Sequence, residues 1–357
     1  MIESPPSRFC HGSVSTAAWL LLLASALPTA SWAEKRDFAM TIDEVTIEVA
    51  PGFTNKVFAF NGQVPGPLIH VKEGDDLTIL VTNNTSLPHT IHWHGINQIG
   101  SWKSDGVPGV TQLQIEPGDS FTYKFNVDRP GSLWYHCHVN VWEHVATRGM
   151  WGPLIVDPKN PTAQEAKVTK DVIMMMSTWE STYANAYGKG GMPQDVSDYF
   201  SVNAKSFPNT QPVRVKKGDV VRFRMFGAGD ETHQMHLHGH DQLLAFKDGY
   251  PLPAPYFIDT APVGPGERYD TIAEMNNPGR FVFHDHVDKH LTNNGASLGG
   301  PLTVIEYAEI PAESWYAWKD KVYEPDFFYS ESMKKGYGLF NNVMFQGKPV
   351  EQGRRRK

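Results

Sequence analysis

The sequence predicts an all-β protein made of two Greek-key β-sandwich domains, and three observations carry that expectation. Short runs rich in Val, Ile, Phe and Thr are punctuated by 31 glycines, 26 prolines and many Asn and Asp residues, with almost no helical periodicity. The text also repeats: FAFNGQVPGPLIHVKEGD (58–75) is echoed by FSVNAKSFPNTQPVRVKKGD (200–219), and His89 and His233 each follow the closing aspartate by 14 residues. Further on, Gly131 and Gly279 each precede a histidine, His136 and His284, by five. Register kept over such a span means two copies of one unit. The third observation is histidine alternating with other residues inside aromatic and β-branched runs, the setting of a strand.

With 357 residues, 40% hydrophobic and 20% charged, the chain can build full cores. Its formal charge of -7 argues against nucleic acid or an anionic membrane as the main partner.

In chain order, residues 1–33 read as a secretory signal peptide. Arg8 and His11 precede the apolar run Ala17 to Leu27, and Ser31-Trp32-Ala33 offers a small-x-small cleavage site. A mature chain starting near Glu34 would be periplasmic or secreted, with no membrane insertion after processing, and Cys137 would be its only cysteine. Unable to form an internal disulfide, that cysteine is a buried bystander or a metal ligand. Domain one is expected at 37–158 and domain two at 168–308, joined by a polar linker. Residues 309–357 form a C-terminal extension whose aromatics, among them Trp315, Trp318, Phe327 and Phe340, are expected to pack, leaving Arg354 to Lys357 solvated.

Of 15 histidines, 13 fall in four clusters: LPHTIHWHG with His89, His92 and His94; LWYHCHVNVWEHVATRGM with His136, Cys137, His138, His144 and Met150; HQMHLHGH with His233, His236, His238 and His240; and FHDHVDKH with His284, His286 and His290. On a strand, His136 and His138 aim to one side and Cys137 to the other. Cys137, His144 and Met150 offer thiolate, imidazole and thioether, a soft set that selects copper. Four His-x-His pairs, two per copy, can supply eight imidazoles. A zinc site uses three or four ligands, so several metal ions close together are the simplest account.

These four motifs resemble the copper motifs of the multicopper oxidases, the laccase-like family of cupredoxin-domain proteins, over roughly residues 40–306. By length the chain is similar to the two-domain subgroup. The resemblance implies two cupredoxin-like domains and four coppers per chain. His92 and His236 would hold the type 2 copper; His94, His136, His138, His238, His284 and His286 the type 3 pair; His89, Cys137, His144 and an axial Met150 the type 1 copper. The spacing departs slightly from the family's, since His144 follows Cys137 by seven residues rather than the frequent five. In domain two Asp285 stands where a type 1 site would need cysteine, while His233 and His290 keep their places. A carboxylate cannot replace the copper–thiolate bond, so this copy is expected to have lost that site, with Asp285 a buried acid paired with His233 or His290.

The implied activity is single-electron oxidation of a small reducing substrate, such as phenols, aromatic amines or reduced metal ions, near an exposed edge of His144, coupled to reduction of dioxygen to water. Asp105 resembles the family's proton-supplying acid. Trp102 and Trp142 read as aromatic core, Met174 to Met176 as strand core, and His240 as a neighbour of the ligands. Glu143 is a candidate for orienting a cationic substrate. The family's two-domain members imply a homotrimer with clusters shared between chains. The rival readings are a copper nitrite reductase and a periplasmic copper-binding or electron-transfer protein.

Overall fold

The computed structural model describes residues 33–184 and 197–311 together with Glu313 and Tyr316. The expected leader and nearly all of the C-terminal extension lie outside these residues. Where the extension begins, Tyr316 is buried against Leu302 and Val304, with the Arg280 guanidinium 4.6 Å from its ring.

The regular structure of the described chain is almost entirely strand, as expected, and its four sheets repeat one topology twice. In the first copy Phe53–Phe60, Lys35–Ala50, Asp76–Asn83 and Ser120–Asn126 lie side by side in that order. Their counterparts Tyr199–Val202, Lys170–Trp179, Val220–Gly227 and Arg268–Glu274 keep the same order in the second. The opposing sheets match as well. Ile69–Lys72, Trp151–Asp157, Gly131–His136 and His92–His94 answer to Val213–Val215, Leu302–Tyr307, Arg280–Asp285 and His233–Leu237. Lys35–Ala50 pairs antiparallel with the next strand but parallel with Asp76–Asn83. Such mixed pairing is the mark of a chain that crosses between sheets.

Alternation places the core. Phe38, Met40 and Ile42 are buried while the residues between them are more open, as a half-covered strand requires. Gly131–His136 is buried at every position, and Met174, Met175 and Met176 pack in the core as expected. The second copy adds a hairpin, Gln242–Lys247 with Tyr250–Ile258, at one sheet edge.

The copies meet through buried polar groups. Ser132 donates to Asp270 (2.8 Å) and accepts from Arg224 (2.8 Å), and Arg224 and Arg222 share Asp171. Burial works against the Asp171 carboxylate, but the two guanidiniums hold it well below the usual range. Removing one member of such a network would strand a buried charge.

Candidate metal centre

Four constellations form. In the first, His89, Cys137 and His144 are buried together. The His89 and His144 Nδ1 atoms lie 3.7 and 3.4 Å from the Cys137 Sγ. His89 is oriented from behind by Thr85, whose Oγ1 is 2.8 Å from Nε2. The Val139 N–H also points at Sγ, at 3.4 Å. His144 sits on a wide helical turn, Trp142–Thr147, and this turn absorbs the long seven-residue step. Met150 is fully buried; its N–H donates to the His144 carbonyl and its carbonyl accepts from the Cys137 N–H. Phe58 presents its ring to both imidazoles, closing the site with an apolar wall.

Burial dominates the electrostatics. It pushes the Cys137 thiol up to about 12, and lowers the imidazoles of His89 to about 2 and His144 to about 4, with further lowering from His144 and Arg148 respectively. Neutral imidazoles keep a lone pair for a metal, and a thiol must release its proton to bind one.

The second constellation is a quartet, His92, His94, His136 and His138, with ring centroids 5.3 to 6.0 Å apart. His136 donates from Nδ1 to the Cys137 carbonyl (2.8 Å) and His92 from Nδ1 to the Asp105 carbonyl (2.8 Å), which turns each Nε2 away from the backbone; that of His136 meets His94 Nδ1 at 3.4 Å. The Asp105 carboxylate is itself 3.4 Å from His92 Nδ1. Gly106 allows this approach: its φ is +89°, and a Cβ there would meet the Ile91 carbonyl at 1.8 Å. Trp134 stacks on His94 and lies against His136.

The third is the corresponding quartet, His236, His238, His284 and His286, with centroids 4.8 to 5.8 Å apart. His284 donates to the Asp285 carbonyl at 2.7 Å, and His236 to the Asp259 carbonyl at 3.1 Å with the Asp259 carboxylate at 3.3 Å. Asp259 is therefore the partner of Asp105 across the repeat, and sequence reading missed it. The added hairpin stretches the step from the histidine to its aspartate from 13 to 23 residues. The shared Asp-x-x-Pro, Asp105 to Pro108 and Asp259 to Pro262, was the available signal. His240 lies beside this quartet, held between the His238 carbonyl and the Tyr307 hydroxyl (2.6 Å). Among the described residues no hydrogen bond or ring contact joins the two quartets.

The fourth is His233, Asp285 and His290, all buried. Asp285 receives His233 and His290 as expected, at 2.7 and 2.6 Å, and Glu231 holds the far side of His290 at 2.9 Å.

Three expectations change. Trp102 is 58% exposed rather than core, because it rides on a surface turn. His144 is 2% exposed, so its imidazole has no open edge. Glu143 is also buried, bonded to Asn140 at 2.8 Å and facing Arg148, and it presents no carboxylate to a substrate.

A buried sulfur and imidazole set beside two imidazole quartets fits copper by donor chemistry, and comparison agrees. Models of multicopper oxidase domains match residues 41–161 and 178–297, and the chain belongs to the multicopper oxidase family. Its resemblance to two solved structures extends over nearly their whole length. The multicopper oxidase mgLAC is 69% identical, with a TM-score of 0.83 over 88% of this chain and 98% of that one. The blue copper oxidase from Nitrosomonas europaea is 58% identical, with the same TM-score over 88% of this chain and all of the other. Laccase-2 of Botryotinia fuckeliana is 33% identical over 290 residues, 77% of this chain and 48% of that protein; the chain spans about half the length of the curated relatives it matches. Copper is the metal the family implies.

Proposed function

We propose that this chain is a two-domain, laccase-like oxidase that takes single electrons from a small reducing substrate and delivers them to dioxygen. The observation that carries the reading is one strand. At its end, Cys137 belongs to the buried sulfur site, while its covalent neighbours His136 and His138 belong to a histidine quartet.

In this reading residues 37–158 and 168–308 are the two domains. His89, Cys137, His144 and Met150 would hold one type 1 copper. His92 and His236 would hold a type 2 copper, and His94, His136, His138, His238, His284 and His286 a type 3 pair, four ions per chain. When bound, copper would supply one-electron redox chemistry and the place where dioxygen is reduced to water.

The chain's own residues prepare these sites. Thr85, the Cys137 carbonyl and the Asp105 carbonyl fix which imidazole nitrogen points away from the site wall. Phe58 and the buried sandwich exclude water from Cys137. The Asp105 and Asp259 carboxylates lie 3.4 and 3.3 Å from the Nδ1 atoms of His92 and His236, at positions suited to relaying protons to reduced oxygen. Because no hydrogen bond or ring contact joins the quartets among the described residues, a complete cluster is best supplied by domain one of one chain and domain two of the next. A ring that closes at three satisfies this. The leader reading makes the protein periplasmic or secreted.

A nitrite reductase would use one mononuclear copper on three histidines and leave most of the eight imidazoles unemployed; this counts against it. Oxygen uptake by the copper-loaded protein across phenols, aromatic amines and reduced metal ions tests the oxidase reading. Uptake with at least one class is expected, and none with any class would favour a copper-binding or electron-transfer protein.

A further inference from the structure

The vacated site of the second copy is filled by a specific set of partners, and its dimensions differ from those of the first. In the first copy the donor atoms around Cys137 are separated by 3.4 and 3.7 Å. Ligands on a tetrahedral ion with bonds near 2.0 and 2.3 Å stand roughly 3.5 Å apart, so these separations leave room for a metal. In the second copy the same imidazole atoms, His233 Nδ1 and His290 Nδ1, lie 2.7 and 2.6 Å from a single oxygen, Asp285 Oδ2. Nitrogen and oxygen ligands with bonds near 2.0 Å would be separated by about 3.3 Å at a tetrahedral angle and about 2.8 Å at a right angle. The observed distances are those of charge-assisted hydrogen bonds.

The rest of Asp285 is occupied as well. Its Oδ1 accepts from the N–H groups of Gln234 (2.9 Å) and Val287 (3.1 Å). The backbone position of Met150 is taken by Pro301, whose carbonyl accepts from the Asp285 N–H, so no thioether stands there. His290 donates from both ring nitrogens to carboxylates, Asp285 and Glu231, and Phe200 stacks on its face at 4.1 Å. A doubly donating imidazole carries a positive charge between two negative ones.

We propose that the second copy has exchanged its metal for protons: Asp285, His233, His290 and Glu231 form a clasp that takes no metal ion and ties strand Arg280–Asp285 to strand His233–Leu237. The clasp does in domain two what a bound copper would do in domain one under the proposed function, which is to pin the strands that carry the neighbouring histidine quartet. Its dimensions stand whether or not that function is right. Burial alone would lower the His290 imidazole, but its bonds to Asp285 and Glu231 push it up to about 9, in keeping with the geometry.

Anomalous diffraction from crystals of the full chain soaked in millimolar Cu(II), and separately Zn(II), reads this position independently of every other site. No peak among His233, Asp285 and His290, with both Nδ1–Oδ2 separations below about 3 Å, is the expected result; an ion there with both Nδ1 atoms at about 2.0–2.2 Å overturns the clasp. The loss of peaks at the quartets instead would count against the oxidase reading and leave the clasp untouched. Thermal unfolding of the copper-free protein gives a second test through the milder variant Glu231→Gln, which keeps the shape of the partner and removes its charge. The Tm should fall by several degrees, whereas an unchanged Tm would contradict a clasp that holds the strands.

Discussion

Cys137 and Asp285 are the same position in two copies of one fold: each N–H donates to the residue just before the neighbouring strand, Cys137 to the Met150 carbonyl at 3.1 Å and Asp285 to the Pro301 carbonyl at 3.0 Å. Each stands between two quartet histidines on a buried strand end. One copy offers a sulfur with imidazoles at metal-spanning distance, the other a carboxylate with imidazoles at hydrogen-bonding distance.

Asp105→Asn and Asp259→Asn should each leave copper bound and slow oxygen turnover, by about 10–100-fold if they act as other groups behind metal ligands do. Steady-state oxygen uptake against copper content checks this. Full oxidase rates in both loaded variants would remove these acids from the reaction.

Gly106→Ala should destabilise the protein by roughly 1–3 kcal/mol or more. The glycine has φ +89° and no space beside the Ile91 carbonyl, so the turn must shift and carry Asp105 away from His92. Denaturant unfolding with the oxygen rate of the same sample tests both halves.

The copper-free protein should have a bounded pH range of stability. His290 is raised to about 9 from an ordinary value near 6.5, so its contribution is complete below pH 6.5 and is lost as pH rises through 9. The buried His144 and the half-buried His94 are depressed, to about 4 and about 3, so stability falls again as pH drops below 6.5. Each titrating group adds a limiting slope of about 1.4 kcal/mol per pH unit. Urea midpoints from pH 4 to pH 10 should peak between roughly 6.5 and 8, and a steady rise up to pH 10 would contradict the assignment of His290.

The interchain cluster predicts that the active, copper-loaded protein has the mass of three chains by light scattering. An active monomer would mean that the two quartets meet within one chain after all.

Much of this was legible in the sequence because strands alternate and copies repeat. His136, Cys137 and His138 announce two opposed sites by spacing alone, and the loss of the second sulfur site follows from one letter, Asp285. What escaped depended on the third dimension. Asp259 was hidden by the hairpin of Gln242–Lys247 with Tyr250–Ile258, which broke the register with Asp105. The burial of His144 and Glu143 depends on how the turn Trp142–Thr147 packs, and no local pattern encodes that. Trp102 was misplaced because a large aromatic in a short turn reads the same whether it faces inward or outward.

Under the proposed function, Cys137 anchors one of the four coppers of each chain. The most direct test of this is the copper content and blue copper–thiolate absorption of the purified protein beside Cys137→Ser. Four coppers and blue colour are expected in the first, and three coppers with no blue colour in the second. Two coppers per chain in the native protein, or a Cys137→Ser protein that is still blue, would contradict it.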